Sequence, residues 1–115
     1  MITLYGISNC DTCRKARKWL VDHGIDYKYH DFRRDGLNAA SVEVWLGEIG
    51  SDKLINRRGT TWRGLSDDEK ARVEGVGAAE FLAANPTLLK RPVIDHVDRR
   101  LVGFDAHVTS ALEQS

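Results

Sequence analysis

Cysteine and proline are scarce in this sequence, with 2 residues of each among 115. A chain of this length can bury a hydrophobic core without disulfide bonds or structural metals, so neither cysteine is needed as a crosslink. We find no internal repeat, no low-complexity tract and no segment with the composition of a linker. These absences predict one folded domain, residues 1–115, in which both cysteines are available for chemistry.

The sequence also has no excess of either charge and no long apolar run. Its 17 basic and 17 acidic residues cancel, which argues against direct binding to nucleic acid and leaves only local anion sites. No window approaches the roughly 20 apolar residues of a membrane span, and no charged leader precedes an apolar stretch. We therefore expect a cytoplasmic protein that does not bind membranes, in which the cysteines are reduced, catalytic or metal-bound rather than permanently bridged.

The first third of the chain predicts a βαβ unit. The apolar run "ITLYG" ends at Gly6 as a short buried strand would, and "IDYKYHDF" (25–32) alternates apolar and polar residues as a second strand. Between them, a helix from Asp11 to about His23 stops at Gly24. Its apolar side carries, at helical spacing, Cys13, Ala16, Trp19 and Leu20. This order favours parallel pairing of the two strands through a right-handed crossover.

The middle of the chain predicts a helical subdomain, residues about 36–86. After the turn "RRDGLN", Asn38 is a candidate cap for a helix with apolar residues at i, i+3, i+4 and i+7. A capping box at 66–69 opens a second helix toward Val73, and a short third helix covers 78–84. The intervening segment "SDKLINRRGTTWRGL" shows no sustained period.

The end of the chain predicts a hairpin and a helix. "RPVIDHV" has the composition of a strand with a proline at its entrance, "VDRR" that of a turn, and "RLVG" that of another strand. In the terminal segment "FDAHVTSALEQ", Phe104, Val108 and Leu112 recur at helical spacing. The predicted fold class is therefore α/β, with a helical insertion between an N-terminal βαβ part and a C-terminal ββα part.

The two cysteines belong to one motif, "NCDTC", at the start of the predicted first helix. Unpaired backbone N–H groups and the positive end of the helix dipole face the Cys10 sulfur, which favours its thiolate and makes Cys10 the expected nucleophile. Cys13 lies one turn further on the same face, where its thiol can resolve a mixed disulfide on Cys10. Arg14 adds a cation near the same sulfur, while Asp11 opposes it.

These residues alone leave other interpretations of the pair open. Zinc would require two further ligands, and the spacing of His23 and His30 does not match a zinc finger, so we predict no metal site. Cys13 also suits a small buried side chain on the apolar side of the helix, in which case its role is structural. Asp11 is explained as the acidic residue of a helix N-terminus.

Two further segments place arginines where they could bind an anion. "NRRGTTWRG" gathers Arg57, Arg58 and Arg63 in a region without regular period, and their guanidinium groups suit an oxyanion or a carboxylate. A solvated basic loop is the alternative interpretation. "LLKRPVI" places Arg91 directly before Pro92 at a strand entrance, where the X-Pro bond is sometimes cis.

Four segments, "LYGISNCDTCRKARKWL", "NRRGTTWRGL", "LLKRPVI" and "LVGF", resemble in this order and spacing the arsenate reductase (ArsC) and Spx family. The resemblance covers nearly the whole chain and is strongest to the small ArsC-like subgroup of uncharacterised reductases. It implies a thioredoxin-like core interrupted by a helical subdomain, with a cis Pro92 facing the cysteine. It also implies that Cys10 is the nucleophile, that Arg91 holds an oxyanion, and that glutathione with glutaredoxin completes the turnover.

The chain departs from the arsenate reductase pattern at three places. The first arginine of those enzymes falls near Asn56 here, although the subgroup's own motif points to Arg58 with Arg57 beside it. Their last arginine falls in the segment "LVGF", so either Gly103 replaces it or the neighbouring arginines at 99–100 must substitute for it. The second cysteine instead resembles the CxxC redox switch of Spx regulators, which bind the RNA polymerase α subunit. The substrate therefore stays open.

The sequence thus predicts a thiol-dependent, arsenate reductase-like oxidoreductase that uses glutathione as cosubstrate, acts as a monomer and holds no bound cofactor. Its partners would be glutathione and glutaredoxin. The expected catalytic residues are Cys10, Cys13, Arg58 and Arg91. The expected substrate or glutathione contacts are Asn9, Thr12, Arg14, Arg57, Arg58, Arg91 and Pro92. The alternative is an Spx-type redox-sensing transcriptional regulator that binds the RNA polymerase α subunit without turnover.

Overall fold

The computed structural model describes residues 2–96 and 99–113. The chain divides into two compact units: a sheet unit, Met1–Asp35 with Arg91–Ser115, and a helical unit, Gly36–Lys90. The helical unit occupies the segment in which a helical subdomain is predicted, and the treatment of the chain as one domain stays a prediction. Within the described residues, no helix is both long and apolar enough to span a membrane.

Four strands of the sheet unit form one sheet in the order β2-β1-β3-β4. They are β1 Ile2–Gly6, β2 Tyr27–Asp31, β3 Val93–His96 and β4 Arg99–Val102. β1 and β2 are parallel, and the helix α1, Asp11–Asp22, connects them as in the predicted βαβ unit. β3 is antiparallel to both β1 and β4, in agreement with the hairpin predicted at the end of the chain.

The core of the sheet unit is formed by the sheet with two helices, α1 and the C-terminal α8, Ala106–Glu113. Leu4 and Ile94 lie opposite each other on β1 and β3. They are fully buried in a cluster with Ile2, Ala16, Leu20, Val108 and Leu112. Trp19 and Phe104 pack against this cluster, with their ring centroids 5.9 Å apart. The apolar spacings predicted for the two helices therefore identify the faces that pack in this core.

Gly6, the last residue of β1, is required by a close contact with α1. An ideal Cβ at this position would lie 2.5 Å from the Cys13 Sγ, which is closer than real Cβ contacts come. The φ angle of Gly6 is not positive, so the requirement is steric and does not arise from backbone conformation. The predicted strand therefore ends where the cysteine of the helix approaches the backbone.

The helical unit contains α3 Ala39–Glu48, α4 Ser51–Leu54, α5 Thr60–Arg63, α6 Asp67–Ala71 and α7 Ala78–Ala84, with 3₁₀ turns at Arg72–Glu74 and Pro86–Leu88. Asn38 caps α3, since its Oδ1 accepts the Ser41 N–H at 2.8 Å. Ser66 and Glu69 form the predicted capping box of α6. α3 packs against α7, and Trp45 of α3 is fully buried.

The second strand is shorter than predicted. β2 does not extend over 25–32, because Phe32 begins a short helix, α2, Phe32–Asp35. The Asp31 Oδ1 accepts the N–H groups of Arg33 (2.8 Å) and Arg34 (3.2 Å), so the chain turns into a helix directly after the strand. The segment "RRDGLN", predicted to be a turn, is therefore helical in its first part.

Other boundaries also differ from the prediction. The segment 51–65 contains α4 and α5, which at four residues each are too short to show a period. The helix predicted toward Val73 ends at Ala71 and continues as a 3₁₀ turn. α8 begins only at Ala106, because the Asp105 Oδ1 accepts the Val108 N–H at 3.0 Å. Val97 and Asp98 of the predicted turn "VDRR" lie outside the described residues, whereas Arg99 and Arg100 belong to β4.

Candidate active site

Cys10 occupies the N-cap position of α1, at the end of a short loop that leaves β1 at Gly6. Its backbone N–H donates to the Ile7 carbonyl (3.3 Å), and its carbonyl accepts the Arg14 N–H (3.0 Å) in the first turn of the helix. The Cys10 side chain is partly exposed, and both cysteines are free thiols. The sulfur therefore lies at the start of the helix and remains accessible to a ligand.

The surroundings of Cys10 lower the pKa of its thiol. Burial of the sulfur is the largest single influence and acts to raise the pKa. Hydrogen bonds from the Cys13 backbone N–H and the Cys13 thiol favour the thiolate, and the Arg91 guanidinium adds both its charge and a hydrogen bond. Together these groups outweigh burial, so Cys10 ionises at a lower pH than an ordinary cysteine.

Cys13 has the opposite properties. Its side chain is only 1% exposed, and burial raises the pKa of its thiol to about 12. A backbone hydrogen bond from Ile7 opposes this rise, while the neighbouring Cys10 sulfur adds to it. Cys13 is therefore a neutral, buried thiol beside the Cys10 sulfur, and it can attack a disulfide there only after it loses its proton.

Arg91 and Pro92 lie at the entrance of β3, where the "KRP" segment places them. The Arg91–Pro92 peptide bond is cis, as the resemblance implies, and Pro92 is buried. The Pro92 carbonyl accepts the Gly103 N–H at 2.9 Å, which joins this turn to the end of β4. The fold thus brings Arg91 to the Cys10 sulfur from a distant part of the chain.

Three further predicted residues, Asn9, Thr12 and Arg14, have exposed side chains around the start of α1. Arg14 forms an ion pair with Asp11. Its charge is therefore directed to Asp11, and Arg91 is the cation that lowers the pKa of Cys10. The expected contacts of the three residues with a substrate stay predictions.

Arg57 and Arg58 lie in the helical unit and differ from each other. Arg57 donates to the Asp52 Oδ1 (3.3 Å) and the Glu74 Oε1 (2.7 Å), and its guanidinium lies 5.3 Å from the centre of the Trp62 ring. Arg58 is exposed, and its guanidinium has no hydrogen-bond or ion-pair partner among the described residues. Of the two, Arg58 is the arginine whose charge is available to a ligand, while Arg57 stabilises its own segment.

A buried carboxylate that was not predicted from the sequence lies beside the Cys10 loop. Asp31, at the end of β2, is 5% exposed, and its Oδ2 accepts the hydroxyl groups of Ser8 (2.6 Å) and Tyr29 (3.2 Å). The Ser8 hydroxyl, with the two N–H groups on Oδ1, lowers the pKa of Asp31 to about 2. Asp31 therefore stays ionised and joins the Cys10 loop to the end of β2. The sequence signal for Asp31 is an acidic residue that ends a strand of alternating apolar and polar residues, directly before a turn.

These features define the class of the protein. The sheet order β2-β1-β3-β4, a CxxC pair at the start of the helix after β1, and a cis proline before β3 form a thioredoxin-like fold with a dithiol site. Within residues 2–96 and 99–113, no group of three or more His, Cys, Asp or Glu side chains is placed to hold a metal ion. The ArsC family model matches residues 5–112, and the chain belongs to the ArsC family.

Two curated relatives match the chain over most of its length. An uncharacterized protein of Haemophilus influenzae is 48% identical over 105 residues, which cover 91% of this chain and 92% of that protein. The global transcriptional regulator Spx of Streptococcus pyogenes serotype M6 is 33% identical over 108 residues, which cover 91% of this chain and 79% of that protein. The similarity therefore extends to Spx regulators as well as to uncharacterised small proteins.

Two solved structures show the same fold. The structure of the YffB protein superimposes with a TM-score of 0.88 at 39% identity and covers 96% of this chain and 97% of its own. An arsenate reductase (ArsC) related protein from Brucella melitensis has a TM-score of 0.74 at 41% identity, covering 99% of this chain and 95% of its own. The family and the fold predicted from the four segments are confirmed.

Proposed function

We propose that this protein is a cytoplasmic thiol-disulfide oxidoreductase with Cys10 as its nucleophile. The observation that carries this proposal is the opposite character of the two thiols, since the pKa of Cys10 is lowered beside Arg91 and that of Cys13 is raised by burial. Attack followed by resolution uses an accessible thiolate first and then a second thiol beside it, which must lose its proton before it attacks. Membership of the ArsC family and the similarity to an arsenate reductase related structure support this class of activity.

In the first step, the Cys10 thiolate attacks one sulfur of a disulfide substrate. A bond forms between the Cys10 Sγ and that sulfur, the substrate S–S bond breaks, and the other half of the substrate leaves as a thiolate. The Arg91 guanidinium stabilises the negative charge at the start of α1 before the attack. The product of this step is a mixed disulfide on Cys10.

Formation of the mixed disulfide changes the state of Cys13. Burial, the hydrogen bond to Cys10 and the negative charge of Cys10 all raise the pKa of the Cys13 thiol. The effects of Cys10 disappear once its sulfur belongs to a neutral disulfide, so the pKa of Cys13 falls and the departing thiolate or solvent can accept its proton. The Cys13 thiolate then attacks the Cys10 Sγ, which releases the second half of the substrate and leaves a Cys10–Cys13 disulfide.

Glutathione is the proposed reductant, with glutaredoxin as a proposed partner. Two glutathione thiols reduce the Cys10–Cys13 disulfide and become glutathione disulfide, which balances the electrons. A second route bypasses Cys13: a glutathione thiol attacks the Cys10 Sγ of the mixed disulfide, and the second half of the substrate leaves as a thiolate. A second glutathione thiol then attacks the glutathione sulfur, which releases the Cys10 thiolate and forms glutathione disulfide. The two routes differ in whether turnover depends on Cys13.

We propose that a disulfide, rather than arsenate, is the preferred class of substrate. The resemblance places the last arginine of arsenate reductases in the segment "LVGF", where the φ of 81° at Gly103 disfavours any side chain. Nearby Arg100 forms an ion pair with Asp95 at 3.1 Å. The guanidinium group that shifts the pKa of Cys10 is that of Arg91.

The test compares Cys10→Ser and Cys13→Ser in the glutathione-dependent reduction of a small disulfide, with arsenate as a parallel substrate. Cys10→Ser should lose turnover by about 100-fold or more, because the attacking sulfur is gone. Cys13→Ser should retain part of the activity through the direct glutathione route. Full activity of Cys10→Ser would refute the proposal, and equal turnover of arsenate would reverse the order of the two substrate classes.

A redox-sensing transcriptional regulator is the second candidate function. The CxxC pair and the 33% identity to the Spx protein of Streptococcus pyogenes favour it. Here the Cys10–Cys13 disulfide would alter binding to the RNA polymerase α subunit instead of completing a turnover. Capture of the C-terminal domain of that subunit under reducing and oxidising conditions tests this role. Redox-dependent capture without disulfide reductase activity would select the regulator.

A further inference from the structure

An open cavity of about 410 Å³ lies beside the Cys10 loop, outside the groups used in the proposed reaction. Its lining residues are Ser8, Asn9, Asp31, Arg33 and Arg34. Ser8 and Asn9 directly precede Cys10, so their Cα atoms lie within about 8 Å of the Cys10 Cα. A ligand attached to the Cys10 sulfur is therefore within reach of this cavity.

Arg33 supplies the available charge of the cavity. Both oxygens of Asp31 already accept two hydrogen bonds each, so this carboxylate offers little to a ligand. Arg34 donates to both oxygens of Asp35, at 3.0 and 2.7 Å. The Arg33 guanidinium is exposed and has no hydrogen-bond or ion-pair partner among the described residues. The donors of Arg33 can therefore bind an incoming anion.

The position of Arg33 relative to the Cys10 loop is determined by one buried side chain. The Asp31 carboxylate accepts the Arg33 backbone N–H at 2.8 Å on one oxygen and the Ser8 hydroxyl at 2.6 Å on the other. The same group thus holds both the arginine and the loop that carries the nucleophile. The cavity is a structured feature of the sheet unit, since ionised Asp31 connects its two sides.

We propose that this cavity binds the carboxylate end of an anionic peptide thiol, such as glutathione, while that thiol exchanges with Cys10, and that Arg33 donates to the carboxylate. The inference rests on the proposed thiol-disulfide function. An extended peptide of three residues spans at most about 11 Å, which is enough to reach from the Cys10 sulfur into the neighbouring cavity. A guanidinium fork suits a carboxylate because it can donate two parallel hydrogen bonds.

The test measures exchange of the reduced protein with two disulfides, anionic glutathione disulfide and uncharged hydroxyethyl disulfide. In both reactions the Cys10 thiolate forms a new S–S bond, the disulfide bond of the reagent breaks, and one thiolate leaves. Arg33→Ala should lower the second-order rate constant with glutathione disulfide by about tenfold, the lower end of the loss expected for a hydrogen bond to a charged group. The rate constant with hydroxyethyl disulfide should stay within about twofold.

Two matched variants separate a local contact from a general effect of charge. Lys28→Ala removes one positive charge from an exposed position of β2 outside the cavity, and it should leave both rate constants nearly unchanged. Arg33→Lys keeps the charge but not the fork, so its rate constant with glutathione disulfide should be intermediate. Equal effects of Arg33→Ala on both disulfides, or no effect on either, would overturn the inference. Failure of the unmodified protein to exchange with either disulfide would refute the proposed function itself and this inference with it.

Discussion

The two regions around the sulfur atoms of the dithiol differ more than a separation of three residues suggests. The Cys10 region is partly open, and it contains backbone N–H groups of α1 and the Arg91 guanidinium. The Cys13 region is closed by Gly6 and Ile7 and leaves 1% of Cys13 exposed. Two identical residue types on one helix therefore receive different chemistry from their tertiary surroundings, one as an accessible nucleophile and the other as a protected thiol.

The largest effect on stability is expected when an additional side-chain atom is placed against Cys13. Gly6→Ala would place a Cβ 2.5 Å from the Cys13 Sγ, so strand or helix must shift. We expect the free energy of unfolding to fall by about 2 to 3 kcal/mol, as measured by chemical denaturation. Gly47→Ala in α3 is the control, because nothing lies within 4 Å of the added Cβ. If Cys13→Ala, which removes the sulfur, fails to rescue part of the loss in the double variant, the steric explanation is wrong.

The second-largest effect on stability is expected from the carboxylate of Asp31, which binds the loop that carries Cys10. The pKa of Asp31 is about 2 in the folded chain, below the ordinary value of 3.8, so its ionised form stabilises the fold above about pH 4. This contribution is lost as the pH falls from 4 toward 2. Asp31→Asn should therefore lower the free energy of unfolding by about 2 kcal/mol at neutral pH, and the difference from the unmodified protein should shrink in acid.

Denaturation curves between pH 7 and pH 2 measure this difference. Asp68→Asn, an exposed position at the start of α6, serves as the control. A deficit of Asp31→Asn that stays constant down to pH 2 would show that the carboxylate charge contributes nothing, and that shape alone explains the loss.

A smaller effect is expected from the cation of the Cys10 region. Arg91→Met removes a charge and a hydrogen bond that lower the pKa of Cys10, so this pKa should rise. The rate of alkylation by iodoacetamide at pH 6 should fall by about fivefold, and it should converge with that of the unmodified protein above about pH 9. Arg14→Met is the matched control, because Arg14 pairs with Asp11. An unchanged rate at pH 6 in Arg91→Met, or equal losses in both variants, would contradict the assignment of Arg91.

Local signals allowed much of the fold to be predicted. Asn38 and Ser66 bond to backbone groups three residues away, so their caps are visible without tertiary information. The helix α2 was missed because its first turn depends on Asp31, whose other oxygen is bound by Ser8 from another part of the chain. Short helices such as α4 and α5 were missed because four residues do not show a period.

The candidate site divides in the same way. Cys10 was predicted as the nucleophile because the end of a helix acts on the residue at its N-cap, which is a local effect. The position of Arg91 beside it depends on a turn near the other end of the chain, and "KRP" indicated this only through a family resemblance. No signal in the sequence indicated Arg33, because Asp31 gives its backbone a defined position only after the sheet has formed.

The sequence by itself determined the order of the strands and of the longer helices, the family, and the helix whose first turn carries the two thiols. These follow from periodicity, capping and motif spacing, which act over a few residues. Only the tertiary structure decided which thiol is accessible, because burial against Gly6 and the approach of Arg91 bring together residues that are far apart in the chain. The spacing CxxC places two sulfur atoms side by side. Their different surroundings in the folded sheet unit make one an accessible nucleophile and the other a protected thiol.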